Sequence, residues 1–586
     1  MLLFLCSANQ QTQKKLFDDN WTTWTDDFKR MGKLSSQTFS ENQLRTMVRL
    51  DLQERLLSYQ KDLPDFNLDP ITDEEKATVK IQNPLVLDEK DYDVTSLKTD
   101  VEETLKKFTP TQKIIFDTIM EAVSKNATLQ LFIYARGGCG KTYLLNTVLK
   151  AVRSYEDGGC VALAMGTTGI AAELLNLGRT FHSRMKAPKN PTAESMLNIS
   201  NQSNLGSLVQ MARLLLIDEA TMLHRFHLEA LDRNLRDLMG KPDIPFGGKI
   251  IILAGDFRQC LPVIRKANRA QIVKACINKS NLWSHFQVHC LLENMRVKAS
   301  GDPVLEQFDE WTLGLGNGTA NNENERVIIP ENMLIQIKCN TEDDKKVEEE
   351  CMKELCRRVF PDLEMNLSDP TWLEGRAVLA PTNKEVDTIN DLMETWMSGV
   401  STKLSSADTL ENYQHVMTFN TEILNKECPS GFPRHILNLK PGMLLMLLRN
   451  INPKDGLCNG TKLIYMRTIN NKLLVCKLAG SEKEVLIPRI KFITYPGIYD
   501  FEWTRLQFPV RVAFSTTINK SQGQTLKQVG LWLRTPVFSH GQFYVACSRV
   551  GNPAALHIAI GQQSDEQLAQ TDNVIFREVF EGLNRV

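Results

Sequence analysis

The segment Arg136-Gly-Gly-Cys-Gly-Lys-Thr142 constrains the fold of this chain more than any other feature of its sequence. It follows an apolar run, 131–135, that is predicted to be a strand, and it leads into an amphipathic run, 142–153, that is predicted to be a helix. Glycines let the backbone curl so that successive N–H groups point at phosphate oxygens, and a helix N-terminus favours negative charge. The segment therefore predicts a phosphate-binding loop in an α/β domain.

Each residue of this loop has an expected task. The residues expected to hold a nucleotide are Gly137, Gly138, Cys139, Gly140, Lys141 and Thr142. Lys141 is expected to reach the β- and γ-phosphates, and Thr142 is expected to offer its hydroxyl to Mg²⁺. Ala135 stands where this pattern usually has a glycine. Alanine is the least costly replacement if the backbone there lies in an allowed region.

Polar residues follow two further apolar runs that are predicted to be strands. Asp218 and Glu219 come directly after 214–217, and Gln259 follows 250–254. A carboxylate at a strand end beside a phosphate loop can hold Mg²⁺, and an adjacent one can polarise the attacking water. We therefore predict Asp218 as a metal ligand, Glu219 as the catalytic base and Gln259 as the sensor of the γ-phosphate. An Asp-Glu pair alone is more often a solvated strand end, and the phosphate loop upstream makes it specific.

Runs of strand and helix patterns divide the chain into two α/β blocks, an intervening β-rich stretch and a helical or partly ordered lead-in. The second α/β block is predicted from strands at 376–380, 510–514, 529–533 and 556–560. Proline-rich short strands between its parts predict a small β-rich insertion. The predicted boundaries are 1–104 for the lead-in, 105–295 for the first α/β domain, 296–399 and 506–586 for the two parts of the second, and 400–505 for the insertion.

Composition excludes some classes of protein and leaves the function open. The 586 residues carry a formal net charge of −1, so a nucleic-acid partner would need a local basic groove. The 13 cysteines include no CxxC pair, which favours reduced thiols in an intracellular protein over a metal site. No apolar run approaches the ~20 residues that span a bilayer. We expect a soluble protein without a membrane partner.

An ordered series of motifs resembles the Pif (petite integration frequency) family of superfamily-one, RecD-like DNA helicases, and within it the helicase part of Helitron transposons. The series comprises Phe108-Thr-Pro-Thr-Gln112, Thr167-Thr-Gly-Ile-Ala-Ala172, Gly178-Arg-Thr-Phe-His-Ser183, Asp218-Glu219, Gly255-Asp-Phe-Arg-Gln259, Asn294-Met-Arg296, Thr517-Ile-Asn-Lys-Ser-Gln-Gly-Gln-Thr525 and Gln542-Phe-Tyr-Val-Ala-Cys-Ser-Arg549. It covers about 108–560, and one departure is Asn519, where many relatives carry histidine.

The resemblance implies two tandem RecA-like motor domains, with an SH3-like β-rich insertion in the second and ATP between them. It implies that Gln112 reads adenine and that Arg296 and Arg549, from the opposing domain, stabilise charge on the phosphoryl group. The single-strand contacts that it implies are Thr168, His182, Ser183, Thr517, Asn519 and Lys520. Phe257 and Tyr544 could stack on bases, although core packing is at least as common for such residues.

The same resemblance implies an ATP- and Mg²⁺-dependent helicase that moves 5′ to 3′ on single-stranded DNA and unwinds forked or structured DNA. The expected roles are DNA replication, repair, recombination or telomere maintenance. A monomer, a nuclear location, and replication or transposition factors as partners are further expectations from the resemblance.

Three other classes stay open at this point. One is a different P-loop NTPase, such as an AAA-type remodeller, a nucleotide kinase or an ATP-dependent RNA translocase. The discriminating feature is the second α/β block with Gln522-Gly-Gln-Thr525 and the late Arg549, which a one-domain kinase lacks. A transposase or rolling-circle nuclease would need an HxH metal pair and a nearby tyrosine, which His285-Phe-Gln-Val-His289 does not provide. An inactive DNA-binding scaffold is disfavoured because the residues expected to bind and hydrolyse ATP are all present.

Overall fold

The fold was analysed in a computed structural model of the chain. It describes residues 10–26, 28–29, 39–57, 62–72, 74–75, 83–156, 159–335, 344–367, 369–410, 421–429, 431–452, 456–494, 502–561 and 569–583. Among these residues no helix is both long enough and apolar enough to cross a lipid bilayer.

The N-terminal region is helical where it is described. Its helices are α1 (Gln10–Asn20), α2 (Glu41–Leu57), α3 (Pro84–Lys90) and α4 (Val94–Leu105). The first two pack around a small apolar core of their own that includes Phe17 and Leu52. The other two pack on the α/β core that follows, through Val86 and Val101. The predicted boundary at residue 104 thus assigns α3 and α4 to the lead-in, although both helices pack on the core of the first α/β domain.

A parallel sheet of six strands forms the first lobe, in the order β3-β2-β4-β5-β1-β6. In chain order its elements are α5 (Pro110–Ser124), β1 (Leu129–Ala135), α6 (Lys141–Arg153), β2 (Ala162–Gly166), α7 (Gly169–Glu173), β3 (Arg179–Thr180), α8 (Phe181–Arg184), α9 (Asn204–Met211), β4 (Leu214–Asp218), α10 (Arg225–Met239), β5 (Ile250–Gly255), α11 (Arg269–Ala275) and β6 (Gln287–Leu291).

Burial on both faces explains why the inner strands of this sheet read as continuous apolar runs. Every residue of β1, β4 and β5 is buried. Because parallel strands end at the same edge of a sheet, the phosphate loop after β1 and the carboxylates after β4 are brought together there. The last strand, β6, has exposed and half-buried positions and was not predicted from the sequence.

A second, four-stranded parallel sheet forms the second lobe, in the order β19-β8-β20-β21. The chain reaches it through α12 (Met295–Ser300), α13 (Pro303–Asn317) and β7 (Arg326–Ile328), followed by α14 (Asp344–Val359), α15 (Leu363–Asn366), α16 (Pro370–Glu374), β8 (Arg376–Ala380) and α17 (Asn383–Trp396). After the β-rich unit come β19 (Ser515–Thr517), β20 (Gln528–Leu533), α19 (Gln542–Cys547), β21 (Leu556–Ile560) and β22 (Gln570–Asp572). The predicted strands at 376–380, 529–533 and 556–560 are confirmed.

Antiparallel strands make up the predicted insertion. Its elements are β9 (Thr402–Ser405), β10 (Ala407–Leu410), α18 (Thr421–Lys426), β11 (Ile436–Leu439), β12 (Leu444–Leu447), β13 (Lys462–Ile469), β14 (Leu473–Leu478), β15 (Glu484–Pro488), β16 (Ile490–Ile493), β17 (Trp503–Gln507) and β18 (Val510–Val512). The prediction of 510–514 as one strand of the second α/β block is wrong. β18 pairs antiparallel with β12, and the chain joins the parallel sheet only at β19.

The end of the chain returns to the first lobe. Phe576, Val579 and Leu583 belong to the apolar core under the first sheet, and Asn278 donates a hydrogen bond to the carbonyl of Val579 at 2.8 Å. This placement differs from the predicted range 506–586 for the second domain. Apolar side chains near a terminus pack wherever a core is open to them, and the sequence pattern alone does not identify which core.

A buried ion pair fixes α3 on the first lobe. Glu89 and Arg184 lie 2.5 Å apart and are almost fully buried, and Arg153 lies 3.9 Å from the second Glu89 oxygen. We expect Glu89→Ala to lower the free energy of unfolding by about 3 kcal/mol, because it leaves two buried guanidinium groups without their carboxylate. Urea denaturation of the full chain measures this change. Glu102→Ala, an exposed glutamate of α4, is the matched control, and equal effects of the two variants would contradict the assignment.

Candidate nucleotide-binding site between the two lobes

The phosphate loop has a backbone that only glycine adopts without strain at two positions. Gly138 has φ of +84° and Gly140 has φ of +75°. A Cβ atom at Gly138 would lie 2.4 Å from Oδ1 of Asn294, and one at Gly140 would lie 2.6 Å from Nε2 of Gln112. Ala135 is the last residue of β1, in extended backbone, so its methyl group is accommodated without strain. The loop is therefore shaped for anions, and the positive φ angles of Gly138 and Gly140 favour glycine at those two positions.

Lys141, at the start of α6, lies between the two predicted carboxylates. Its Nζ is 2.6 Å from Oδ1 of Asp218 and 2.6 Å from Oε1 of Glu219. Asp218 ends β4, and Glu219 follows it in the left-handed region with φ of +54°. Non-glycine residues rarely adopt this backbone conformation, and they do so chiefly where function or packing imposes it.

The charges of this cluster depend on one another. Burial works to lower the pKa of Lys141, but the attraction of Asp218 and Glu219 outweighs it and holds the pKa above its ordinary value. Burial works to raise the pKa of Glu219, and the Lys141 ammonium outweighs it, so this pKa lies below its ordinary value. Lys141 is thus protonated and Glu219 ionised, and a buried positive charge holds the residue that is predicted to act as a base.

Residues of both lobes line one cavity of about 1230 Å³ at this cluster. From the first lobe it is lined by the phosphate loop, Asp218, Glu219 and Gln259, and from the second lobe by Arg549. Arg549 is buried and donates hydrogen bonds to the carbonyls of Val545, Ser521 and Gln524. The arginine predicted to act across the cleft therefore shares a cavity with Lys141.

Arg296 also lines the cavity, but it does not belong to the opposing lobe. It is exposed and lies on α12, where the preceding residue, Met295, donates a backbone hydrogen bond to the carbonyl of Gly138 at 3.0 Å. From there its guanidinium reaches Oγ1 of Thr525 in the second lobe at 3.3 Å. The prediction that Arg296 approaches from the second domain is wrong, because α12 is fastened to the phosphate loop itself.

Three other predicted residues surround the loop in different ways. Gln259 lines the cavity, and its buried Oε1 has no hydrogen-bond partner among the described residues. Gln112 lies beside Gly140, with its side chain bonded to the backbone N–H of Thr109 as part of a helix cap. Cys139 points into the core of the first lobe, where burial raises the pKa of its thiol to about 11. Its part in phosphate binding is thus restricted to its backbone.

Buried polar contacts join the lobes beside the cavity. The Tyr544 hydroxyl donates to Oδ2 of Asp256 at 3.0 Å, and Arg258 donates to Oδ1 of Asn317 at 2.7 Å. Phe257 and Tyr544 are buried, so neither ring presents a face on which a base could stack. Core packing, the alternative left open by the sequence, describes both residues.

The residues expected to contact DNA follow the carboxyl ends of strands in both sheets. Thr168 caps α7 by accepting a hydrogen bond from the N–H of Ala171 at 3.1 Å. Ser183 and Lys520 are exposed. The two groups approach each other at Ile170, whose Cγ2 would lie 3.5 Å from a Cβ on Gly523. Segments 167–172 and 517–525 are therefore neighbours across the cleft.

His182 is uncharged in this environment. Its ring lies 4.8 Å from that of His227, measured between centroids. Burial and repulsion from His227 lower the pKa of His182 to about 4. A DNA contact made by this residue at neutral pH would use hydrogen bonding or stacking of a neutral ring, without a positive charge.

Two contacts of the site were not predicted from the sequence. Gln522 donates a hydrogen bond from Nε2 to Oε2 of Glu219 at 2.9 Å, across the cleft. Thr167 donates from its hydroxyl to the backbone carbonyl of Glu219, also at 2.9 Å. Both residues lie inside motifs that the sequence singles out, but only the folded chain brings them to the same glutamate.

A phosphate loop, two adjacent carboxylates and an arginine from a second parallel sheet, all lining one cavity, define a P-loop protein with two RecA-like motor domains. Residues 107–326 match the family described as PIF1-like helicase, and 422–467 match the family described as DNA helicase Pif1, 2B domain. Over these two stretches the chain is similar to PIF1-like helicases. The second match lies within the β-rich insertion, where sequence patterns were weakest.

Named relatives agree with this family. The chain is 24% identical to the ATP-dependent DNA helicase PIF1 of Xenopus laevis over 76% of its own length and 60% of that protein's length. It is 27% identical to the ATP-dependent DNA helicase Pif1 of Bdellovibrio bacteriovorus, over 77% and 89% of the two lengths. The crystal structure of Pif1 helicase from Bacteroides in complex with ADP-AlF3 and ssDNA matches 76% of this chain and 92% of that one, with 20% identity and a TM-score of 0.53. This last likeness concerns the fold.

The position of Lys141 predicts an order of binding. An ammonium group 2.6 Å from both carboxylates repels a second cation, so we expect Mn²⁺ to bind weakly until a nucleotide draws Lys141 away. Lys141→Ala should bind Mn²⁺ at least about tenfold more tightly than the wild type in the absence of nucleotide. Loss of the free-Mn²⁺ signal in electron paramagnetic resonance measures this binding.

The matched control for that titration is Lys150→Ala, which removes another lysine of α6 whose partner, Asp100, lies outside the cavity. Tight Mn²⁺ binding to the nucleotide-free wild type, at the level of the Lys141 variant, would contradict the predicted order.

Proposed function

We propose that this protein is an ATP-dependent DNA helicase that hydrolyses ATP between its two lobes while moving along single-stranded DNA. The observation that carries the proposal is the single cavity in which Lys141, Glu219 and Arg549 meet from both lobes. The DNA helicases to which the chain is similar, and the complex of the Bacteroides protein with ADP-AlF3 and ssDNA, support it. The second parallel sheet and Arg549 disfavour a one-domain nucleotide kinase.

The residues of the cavity suit phosphoryl transfer to water. The phosphate loop would orient the β- and γ-phosphates, and Lys141 would leave the carboxylates to neutralise them. Thr142 and Asp218 offer the hydroxyl and carboxylate oxygens that Mg²⁺ prefers, and bound Mg²⁺ would neutralise phosphate charge. Glu219, with Oε1 freed by Lys141, would accept the proton of the attacking water.

The opposite wall of the cavity would respond to the γ-phosphate. Arg549 would stabilise charge that develops on the transferred group, because its guanidinium is buried in the cleft and held by backbone carbonyls. Gln259 has a buried amide oxygen without a partner among the described residues, and this oxygen would accept a hydrogen bond from the attacking water. Its amide nitrogen would donate to a phosphate oxygen. Arg296, exposed at the entrance, would reach the γ-phosphate from the side of the phosphate loop.

DNA would lie across the strand ends of both lobes. Contacts to the sugar-phosphate backbone of DNA suit binding that does not read the base sequence. The residues proposed to make them are Thr168, Ser183, Thr517, Asn519 and Lys520, with the neutral ring of His182. Closure of the lobes on ATP and their opening after hydrolysis would move the two sets of contacts relative to each other. We propose movement from 5′ to 3′ and unwinding of forked or structured duplexes, on the resemblance of the ordered motifs to the family.

The resemblance also supports narrower proposals. The chain would be of the Helitron transposon type, acting in the nucleus as a monomer, with replication or transposition factors as partners. Roles in DNA replication, repair, recombination or telomere maintenance would follow from unwinding itself.

Replacing the predicted base tests the chemistry. We expect Glu219→Gln to bind ATP but to hydrolyse it roughly 10²-fold more slowly, because the amide cannot accept the proton of water. Phosphate release in the presence of single-stranded DNA measures turnover. Glu102→Gln, on the exposed side of α4, should hydrolyse ATP at the wild-type rate. Near-normal turnover by Glu219→Gln would remove this residue as the base.

The direction of movement is tested by strand displacement. We expect ATP-dependent unwinding of a duplex with a 5′ single-stranded overhang and little unwinding of a matched duplex with a 3′ overhang. Lys141→Ala should unwind neither substrate, because it lacks the charge that binds the phosphates. Unwinding of only the 3′-overhang substrate would reverse the proposed polarity.

A further inference from the structure

Glu219 is held from two sides by the segments that are proposed to bind DNA. Thr167, one residue before the proposed contact Thr168, bonds the backbone carbonyl of Glu219. Gln522, two residues after the proposed contact Lys520, bonds its carboxylate. The proposed base therefore joins the DNA-binding edges of both lobes directly.

Both oxygens of the Glu219 carboxylate already have partners. Oε1 accepts from Lys141 at 2.6 Å, and Oε2 accepts from Gln522 at 2.9 Å. Gln522 is buried, and its own Oε1 has no hydrogen-bond partner among the described residues. Nucleotide phosphates compete for Lys141, which lines the cavity, whereas Gln522 does not line it. The second contact is therefore independent of the first.

Gln522 belongs to a unit that would sense DNA. It follows a short 3-10 turn, Ile518–Ser521, which carries Asn519 and Lys520. Asn519 accepts a hydrogen bond from Gln542 at 3.0 Å, and Gln542 begins the helix that leads to Arg549. A displacement of the turn by a bound strand would be transmitted to Gln522 through the backbone within two or three residues.

We propose that Gln522 is a positioning residue that holds Glu219 in an idle orientation until single-stranded DNA binds to segment 517–525. The contact restrains the carboxylate, because its Oε2 accepts from Gln522 while its Oε1 accepts from Lys141. DNA that moves the turn breaks the contact and frees Glu219 to take a proton from water. This inference rests on the proposed function, and it assigns the dependence of ATP hydrolysis on DNA to one hydrogen bond between the lobes.

The test compares Gln522→Met with Gln528→Met. Methionine keeps the length of glutamine but cannot donate to Glu219, and Gln528 lies in the same lobe outside the cavity. We expect Gln522→Met to raise ATP turnover without DNA roughly tenfold, the scale of a hydrogen bond to a charged group, and to leave turnover at saturating DNA unchanged. The rise should appear in kcat and not in KM for ATP. Gln528→Met should keep the wild-type rates.

A second measurement does not depend on hydrolysis. If DNA binding breaks the contact, then loss of the contact must favour DNA binding to the same extent. We expect nucleotide-free Gln522→Met to bind a fluorescein-labelled oligothymidylate more tightly than the wild type in fluorescence anisotropy. A residue with only a structural role would leave the affinity unchanged or weaken it.

The outcomes separate this inference from the proposed function. Absence of ATP turnover in the wild type, with and without DNA, would reject the proposed function. If DNA stimulates the wild type but Gln522→Met keeps the same low basal rate and the same DNA affinity, the idle orientation of Glu219 is rejected and the proposed function stands. A fall in DNA-stimulated turnover with an unchanged basal rate would also overturn it, because Gln522 would then support catalysis.

Discussion

The ion cluster formed by Lys141, Asp218 and Glu219 is the interaction on which the rest of the site depends. Buried charges are costly unless they are paired, and Lys141 is paired with both carboxylates at the end of the parallel sheet. Nucleotide phosphates offer Lys141 an alternative partner, and a divalent cation offers one to the carboxylates. In the proposed function, the same pairing requirement would therefore link the binding of the nucleotide to the binding of the cation.

Local patterns predicted the two lobes well because their strands are buried on both faces. Such strands read as apolar runs that end in turn or polar residues, and the runs at β1, β4, β5, β8, β20 and β21 were found in this way. The half-buried edge strand β6 has no comparable pattern. The segment 510–514 has an apolar pattern, but apolarity does not state whether a strand pairs parallel or antiparallel, so its partner β12 was missed.

The candidate site was predictable where one motif supplies several neighbouring residues. The glycines, Lys141 and the Asp218–Glu219 pair needed only the order of strands in a parallel sheet to come together. The resemblance placed Arg549 opposite the phosphate loop, but the hydrogen bonds between the lobes were not predictable, since they depend on how two separately folded units face each other. Arg296 shows this limit: its motif was recognised, but its helix lies against the phosphate loop of the first lobe.

The connection between β18 and β19 gives the β-rich unit a mechanical role. β18 is the edge strand of that unit, and only Ala513 and Phe514, both buried, separate it from β19 of the second lobe. Segment 517–525 begins at the end of β19. A rotation of the β-rich unit would thus reach the proposed DNA-binding turn through a few residues of buried chain, and the unit would act as a lever arm.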